Sequence, residues 1–170
     1  MMKTMTPLIL LLGSALASGS SYASVSPAPA CLGSGGQEIP SDDSVVMQWK
    51  STTPNQTLKR AHVTGVLTAV YPDRNGHNHF SIRIGTTSSD TLEVVYSQSF
   101  GALTQVHVGM AVEACGDYIT SNAATAQYPA SPDGAIIHWI HKNPSGHGHP
   151  SGFLMLDGQV FGQGAGQGGG

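Results

Sequence analysis

From His62 to Phe161 the apolar residues come in short runs rich in Val, Ile and Tyr, each closed by Gly, Asn, Asp or Pro, a rhythm that selects strands over helices. Strands are expected at His62 to Tyr71, His79 to Ile84, Thr91 to Tyr96, Ala111 to Ile119 and Ala135 to His141. In the second of these, Phe80, Ile82 and Ile84 alternate with His79, Ser81 and Arg83, the signature of one buried and one open face. Gly65, inside the first strand, marks the bulge or sharp coil that a closed barrel needs. The turns are expected at Pro72 to Gly76 and at Ser88 to Asp90.

Ser41, Asp42 and Asp43 offer capping groups ahead of Val45 and Trp49, which stand one helical turn apart, so a short helix precedes the strands. Gln98 to Val108 has room for one more short helix. Phe153 to Leu156 and Gln159 to Phe161 flank Asp157-Gly158 as a terminal hairpin on a type I′ turn. The expected fold is therefore mostly β: a small five-stranded OB-like Greek-key barrel with a C-terminal hairpin and one short N-terminal helix.

The ends of the chain read differently. Lys3, the apolar run Pro7 to Ala17 and the small residues of Ser21-Tyr22-Ala23 form a secretory signal at residues 1–23, with cleavage expected after Ala23. The run is too short to span a bilayer, so no stable membrane insertion is expected. Residues 24–40 are a Ser, Pro, Ala and Gly linker, residues 41–161 the OB-like domain, and residues 162–170 a Gly-rich flexible tail. The chain has two cysteines, and export to the oxidising periplasm or beyond pairs Cys31 with Cys115.

Charge narrows the partners. Of seven Lys and Arg, Lys3 leaves with the signal, and ten Asp and Glu outweigh the rest. Nucleic acid is bound by neutralising phosphates, so a chain with neither a basic run nor a basic surplus argues against it.

Eight histidines are the richest chemical resource of the chain. His138, His141, His147 and His149 lie close together, and His77 and His79 share an earlier turn. Imidazole is the commonest transition-metal ligand. On an extended strand His138 and His141 face opposite ways, so both reach one ion only if the strand ends early. Gly148 lets His147 and His149 turn to one side. The expected metal set is His141, His147 and His149 with His138 or His79, for zinc, copper or nickel. Trp139, Asn143 and Phe153 are the candidate ligand face, with the core as the competing place for Trp139.

The segment His138-Trp139-Ile140-His141, Asn143-Pro144, Gly146 and Gly152-Phe153 resembles the bacterial exported domain-of-unknown-function family 3465. Pro72-Asp73, Gly76-His77-Asn78-His79 and Gly116-Asp117-Tyr118 add to the likeness, which runs from about Val63 to Phe161. It implies export and an OB-like barrel, and brings no activity with it. Asn143 stands where that family usually has Asp, and Phe153 where it has Trp.

The leading expectation is a non-enzymatic exported binding module, periplasmic or secreted, that takes a divalent metal or a small ligand. Its rivals are a small metal-dependent hydrolase of nuclease or phosphodiesterase type using the same histidines, and an envelope adaptor without metal. No Ser/His/Asp grouping favours the hydrolase.

Overall fold

A computed structural model describes residues 27–164. The signal expected at residues 1–23 and the last residues of the Gly-rich tail lie outside the described residues. Asp42 caps helix α1 (Asp43–Thr52) by accepting from the Val45 amide at 3.0 Å. Seven strands follow: β1 (Leu58–Arg74), β2 (His77–Arg83), β3 (Thr91–Ser97), β4 (Ala111–Thr120), β5 (Ala135–His138), β6 (Phe153–Leu156) and β7 (Gln159–Phe161). A 3-10 turn, Gln98–Phe100, is the short helix expected after β3.

β1 closes the sheet into a barrel because it serves two partners. Its first half pairs with β4, from Leu58↔Ile119 to Val66↔Ala111, and its second half pairs with β2, from Val66↔Arg83 to Arg74↔His77. The handover falls at Gly65, where a Cβ would come within 2.5 Å of the Arg83 carbonyl oxygen. A side chain there would push β2 off, so glycine permits the coil. The ring runs β1-β2-β3-β5-β4 and back to β1, with β3 and β5 parallel and the other pairs antiparallel. This is the OB-like Greek-key barrel the alternation pointed to. Val63, Leu67, Phe80, Ile82, Val94 and Ile137 are fully buried at its centre, and Val46 of α1 packs on the same cluster.

β1 begins at Leu58, ahead of the expected His62, and two further boundaries move. The turn expected over Pro72 to Gly76 shrinks to Asn75-Gly76, both with positive φ, because β1 stays paired to Arg74. The strand expected over Ala135 to His141 ends at His138, because Trp139 takes φ 50° and breaks the alternation.

β5 and β6 share one edge of β4. His138 pairs with Asp117 and Phe153 with Cys115, so only Gly116 separates the two pairings. Residues 139–152 therefore leave the sheet and re-enter it two positions along the same strand. A Cβ on Gly116 would strike the His138 carbonyl and the Ile140 side chain, so glycine makes room for the neck of this excursion.

The disulfide expected from the sequence joins Cys31 to Cys115 across 84 residues. It does not act alone on the segment before α1. Arg60 Nε donates to the Leu32 carbonyl, and His62 Nδ1 donates to the Ile39 carbonyl. This stretch of the expected linker is thus laid against the barrel. Among the described residues no helix is long and apolar enough to cross a membrane.

Closing a loop of this size stabilises by roughly 4–5 kcal/mol on the chain-entropy model. The Cys31→Ala/Cys115→Ala double variant is expected to lose a large part of that, read as a lower urea midpoint with a steeper slope, because the unfolded chain freed of the cross-link exposes more surface.

Candidate functional site

β2 and β3 present their outer face through His77, His79 and Ser81 on one strand and Ser97, Val95 and Glu93 opposite them on the other. Phe80, Ile82, Val94 and Tyr96 fill the core side of the same strands. In an OB barrel this outer face, with the loops after β1 and β4, is where ligands are held.

Polar groups at its centre are buried and partnered. Glu93 is 2% exposed and accepts from His79 Nδ1 at 2.7 Å, with Arg74 Nη2 at 3.4 Å. Asp133, from the loop between β4 and β5, accepts from Ser81 Oγ at 3.0 Å and from the Tyr71 hydroxyl at 3.1 Å. Burial, reinforced by the Asp133 and Glu93 carboxylates, raises the Tyr71 pKa, so the phenol keeps its proton and donates it.

Beside this network runs a row of rings. His77 meets His138 edge-on at 5.2 Å between centroids, and His138 stacks on Trp139 at 4.8 Å. Trp139 stacks in turn on His149 at 5.5 Å, His149 meets His141 edge-on at 5.5 Å, and His141 stacks on Phe100 at 3.6 Å. The rings come from the start of β2, the end of β5, the excursion and the 3-10 turn. Only the bend at Trp139 brings the neighbouring rings of His138 and Trp139 to the same side. A left-handed backbone at a bulky residue costs about 1–2 kcal/mol, which the packing of the row offsets.

Protonation follows from the hydrogen bonds. A carbonyl oxygen only accepts, so Nδ1 carries the proton in His77, bonded to Asn75 at 2.9 Å, in His141, bonded to Lys142 at 2.9 Å, and in His149, bonded to Pro150 at 3.0 Å. In each neutral ring Nε2 then holds the lone pair. His107, outside the row, makes the same bond to Val108, so this bond sets a tautomer and the company of other imidazoles makes a site. Burial, then the neighbouring histidines, push His138 down to about 3. Burial also lowers His141, against the opposing pull of the Lys142 carbonyl.

The expected site residues divide. His138, His141 and His149 come together in the row. His147 is exposed on the excursion, where its carbonyl accepts from Asn143, and its ring joins none of the row's contacts. His79 spends Nδ1 on Glu93, and His77 takes the place next to His138. Among the described residues no group of three or more His, Cys, Asp or Glu side chains is arranged to hold a metal ion. Trp139 belongs to the row and not to the buried core.

Phe153 is a correction. It is 1% exposed and packs with Cys31 and Cys115, because β6 turns it inward beneath the disulfide. Asn143 is another, since its amide is consumed within the excursion. Nδ2 donates to the His147 and His149 carbonyls, and Oδ1 accepts from the Ser145 amide and hydroxyl. An aspartate could not make the two donations, which gives Asn143 a physical reason of its own.

Sequence reasoning missed Phe100, Glu93, Asp133 and Tyr71. Glu93 carried a usable signal, being a carboxylate inside the apolar run Thr91 to Tyr96. No family model matches the chain, and no curated protein matches it.

A histidine kept neutral by burial makes stability depend on pH. Above about pH 6.5 His138 is uncharged folded and unfolded; below it the unfolded chain takes a proton that the folded chain refuses until about pH 3. Stability is expected to fall as pH drops from 6.5 to 5, by at most about 1.4 kcal/mol per unit from this residue. His138→Gln should flatten that slope in urea titrations. Asn143→Asp should speed amide exchange across residues 143–149 while leaving β4 protected.

Proposed function

We propose that this protein is an exported OB-like binding module whose ligand is a divalent transition metal, taken by the imidazole row beside the β2–β3 face. The observation that carries the reading is the alignment of His77, His141 and His149, each with Nδ1 donated to a backbone carbonyl and Nε2 left with its lone pair. Metal-binding histidines are held in this way, the second nitrogen fixing tautomer and ring orientation. Neutral His138 adds a further ring whose nitrogen need lose no proton at physiological pH. Imidazole suits zinc, copper and nickel, whereas magnesium and calcium want oxygen. The disulfide fits an oxidising compartment, periplasmic or extracellular, reached through a signal cleaved after Ala23.

Purified, tag-free mature protein is expected to bind copper, nickel or zinc in equilibrium dialysis and to melt at higher temperature with them, as a ligand of the folded state must cause. Magnesium and calcium should change neither. Absence of binding and of any melting shift would overturn the reading and leave the adaptor.

One observation favours a hydrolytic variant of the same module. The buried Glu93 carboxylate holds His79 Nδ1 at 2.7 Å, the orientation that lets Nε2 act as a general base. Turnover of a phosphodiester panel by metal-loaded protein, lost in His79→Ala with metal binding retained, would establish it. No turnover would retire it.

A further inference from the structure

Resting on the metal reading above, we propose that the row holds two separate metal sites, one formed by His77 and His138 and the other by His141 and His149, with Trp139 between them. A metal about 2.0–2.1 Å from the nitrogens of two imidazoles at a tetrahedral angle sets the ring centroids about 5.2 Å apart. The two pairs stand at 5.2 Å and 5.5 Å. Trp139 separates them, its indole face stacked against His138 on one side and His149 on the other. A single ion would have to gather nitrogens across that ring, and no group of three ligands converges among the described residues.

The two sites also differ in what builds them. His77 and His138 are fixed by the barrel, at the start of β2 and the end of β5. His141 is anchored at the neck of the excursion, where Lys142 N donates to the Gly162 carbonyl, and His149 rides on the loop that Asn143 organises. Two imidazoles leave the remaining positions to water, and for such a nitrogen set the divalent series puts copper above nickel and zinc. The first site is set by strand register, the second by the fold of the excursion.

Dialysis of tag-free mature protein against Cu²⁺ at pH 7.5, with metal and protein both quantified, tests this. The wild type should hold two ions per chain. His77→Gln and His138→Gln should each hold one, as should His141→Gln and His149→Gln. His77→Gln/His149→Gln should hold none, and His147→Gln should keep both. Far-UV circular dichroism and thermal unfolding without metal establish that each variant is folded; His77 and His149, less buried than His141, supply one readout per site where a deeper substitution fails to fold. One ion in the wild type, lost through any of the four substitutions, would overturn the division into two sites while the metal-binding reading stands. No ion in the wild type would overturn both.

Discussion

Everything here depends on one strand doing two jobs. β1 is long enough to zip to β4 with one half and to β2 with the other, and the glycine at its crossing point removes the side chain that would keep those partners apart. Inside that ring, the strand that holds the start of β2 near the end of β5 is β3, which pairs with both. Through it, His77 reaches His138, although 60 residues of chain run between them. The parallel pairing of β3 with β5 completes the ring and gives the excursion a wall to lean on.

The face built on this ring keeps its carboxylates covered and packs its imidazoles against one another. Glu93 and Asp133, both nearly inaccessible, are matched to His79, Arg74, Ser81 and Tyr71, so neither carboxylate is left without donors. A buried carboxylate without such donors would be expensive. His138 meets the same cost by staying unprotonated. The result is a surface with two buried carboxylates at or beside the β2–β3 centre and imidazole rings along its border.

Much of the barrel was legible because its elements are written locally. Phe80 and Ile82 alternate with His79 and Ser81, Asp157-Gly158 permits positive φ, and Asp42 caps the helix where a capping residue was expected. The site was legible only in its ingredients. His138, His141 and His149 stand close in the sequence, but the parity of an extended strand separates neighbours, and only the left-handed turn at Trp139 reunites them. A tryptophan carries no local preference for that turn; the packing of the row imposes it. His77 outcompetes His79 for the row because Glu93, across the β2–β3 pairing, captures His79. Such competition is set by tertiary contacts. Phe153 was misread for the opposite reason: proximity to the histidines suggested a shared surface, while β6 pairing turned its ring under the disulfide.

The excursion has a consequence for how such a protein changes over generations. Because its two feet stand on nearly adjacent rungs of β4, residues between Lys142 and Ser151 contribute almost nothing to the closure of the sheet, while the buried Ile140 and His141 fasten the neck into the interior. Length and chemistry in that stretch are free to drift without asking the scaffold's permission. The chain thus separates inheritance of shape from inheritance of binding preference, and relatives could share one while exchanging the other.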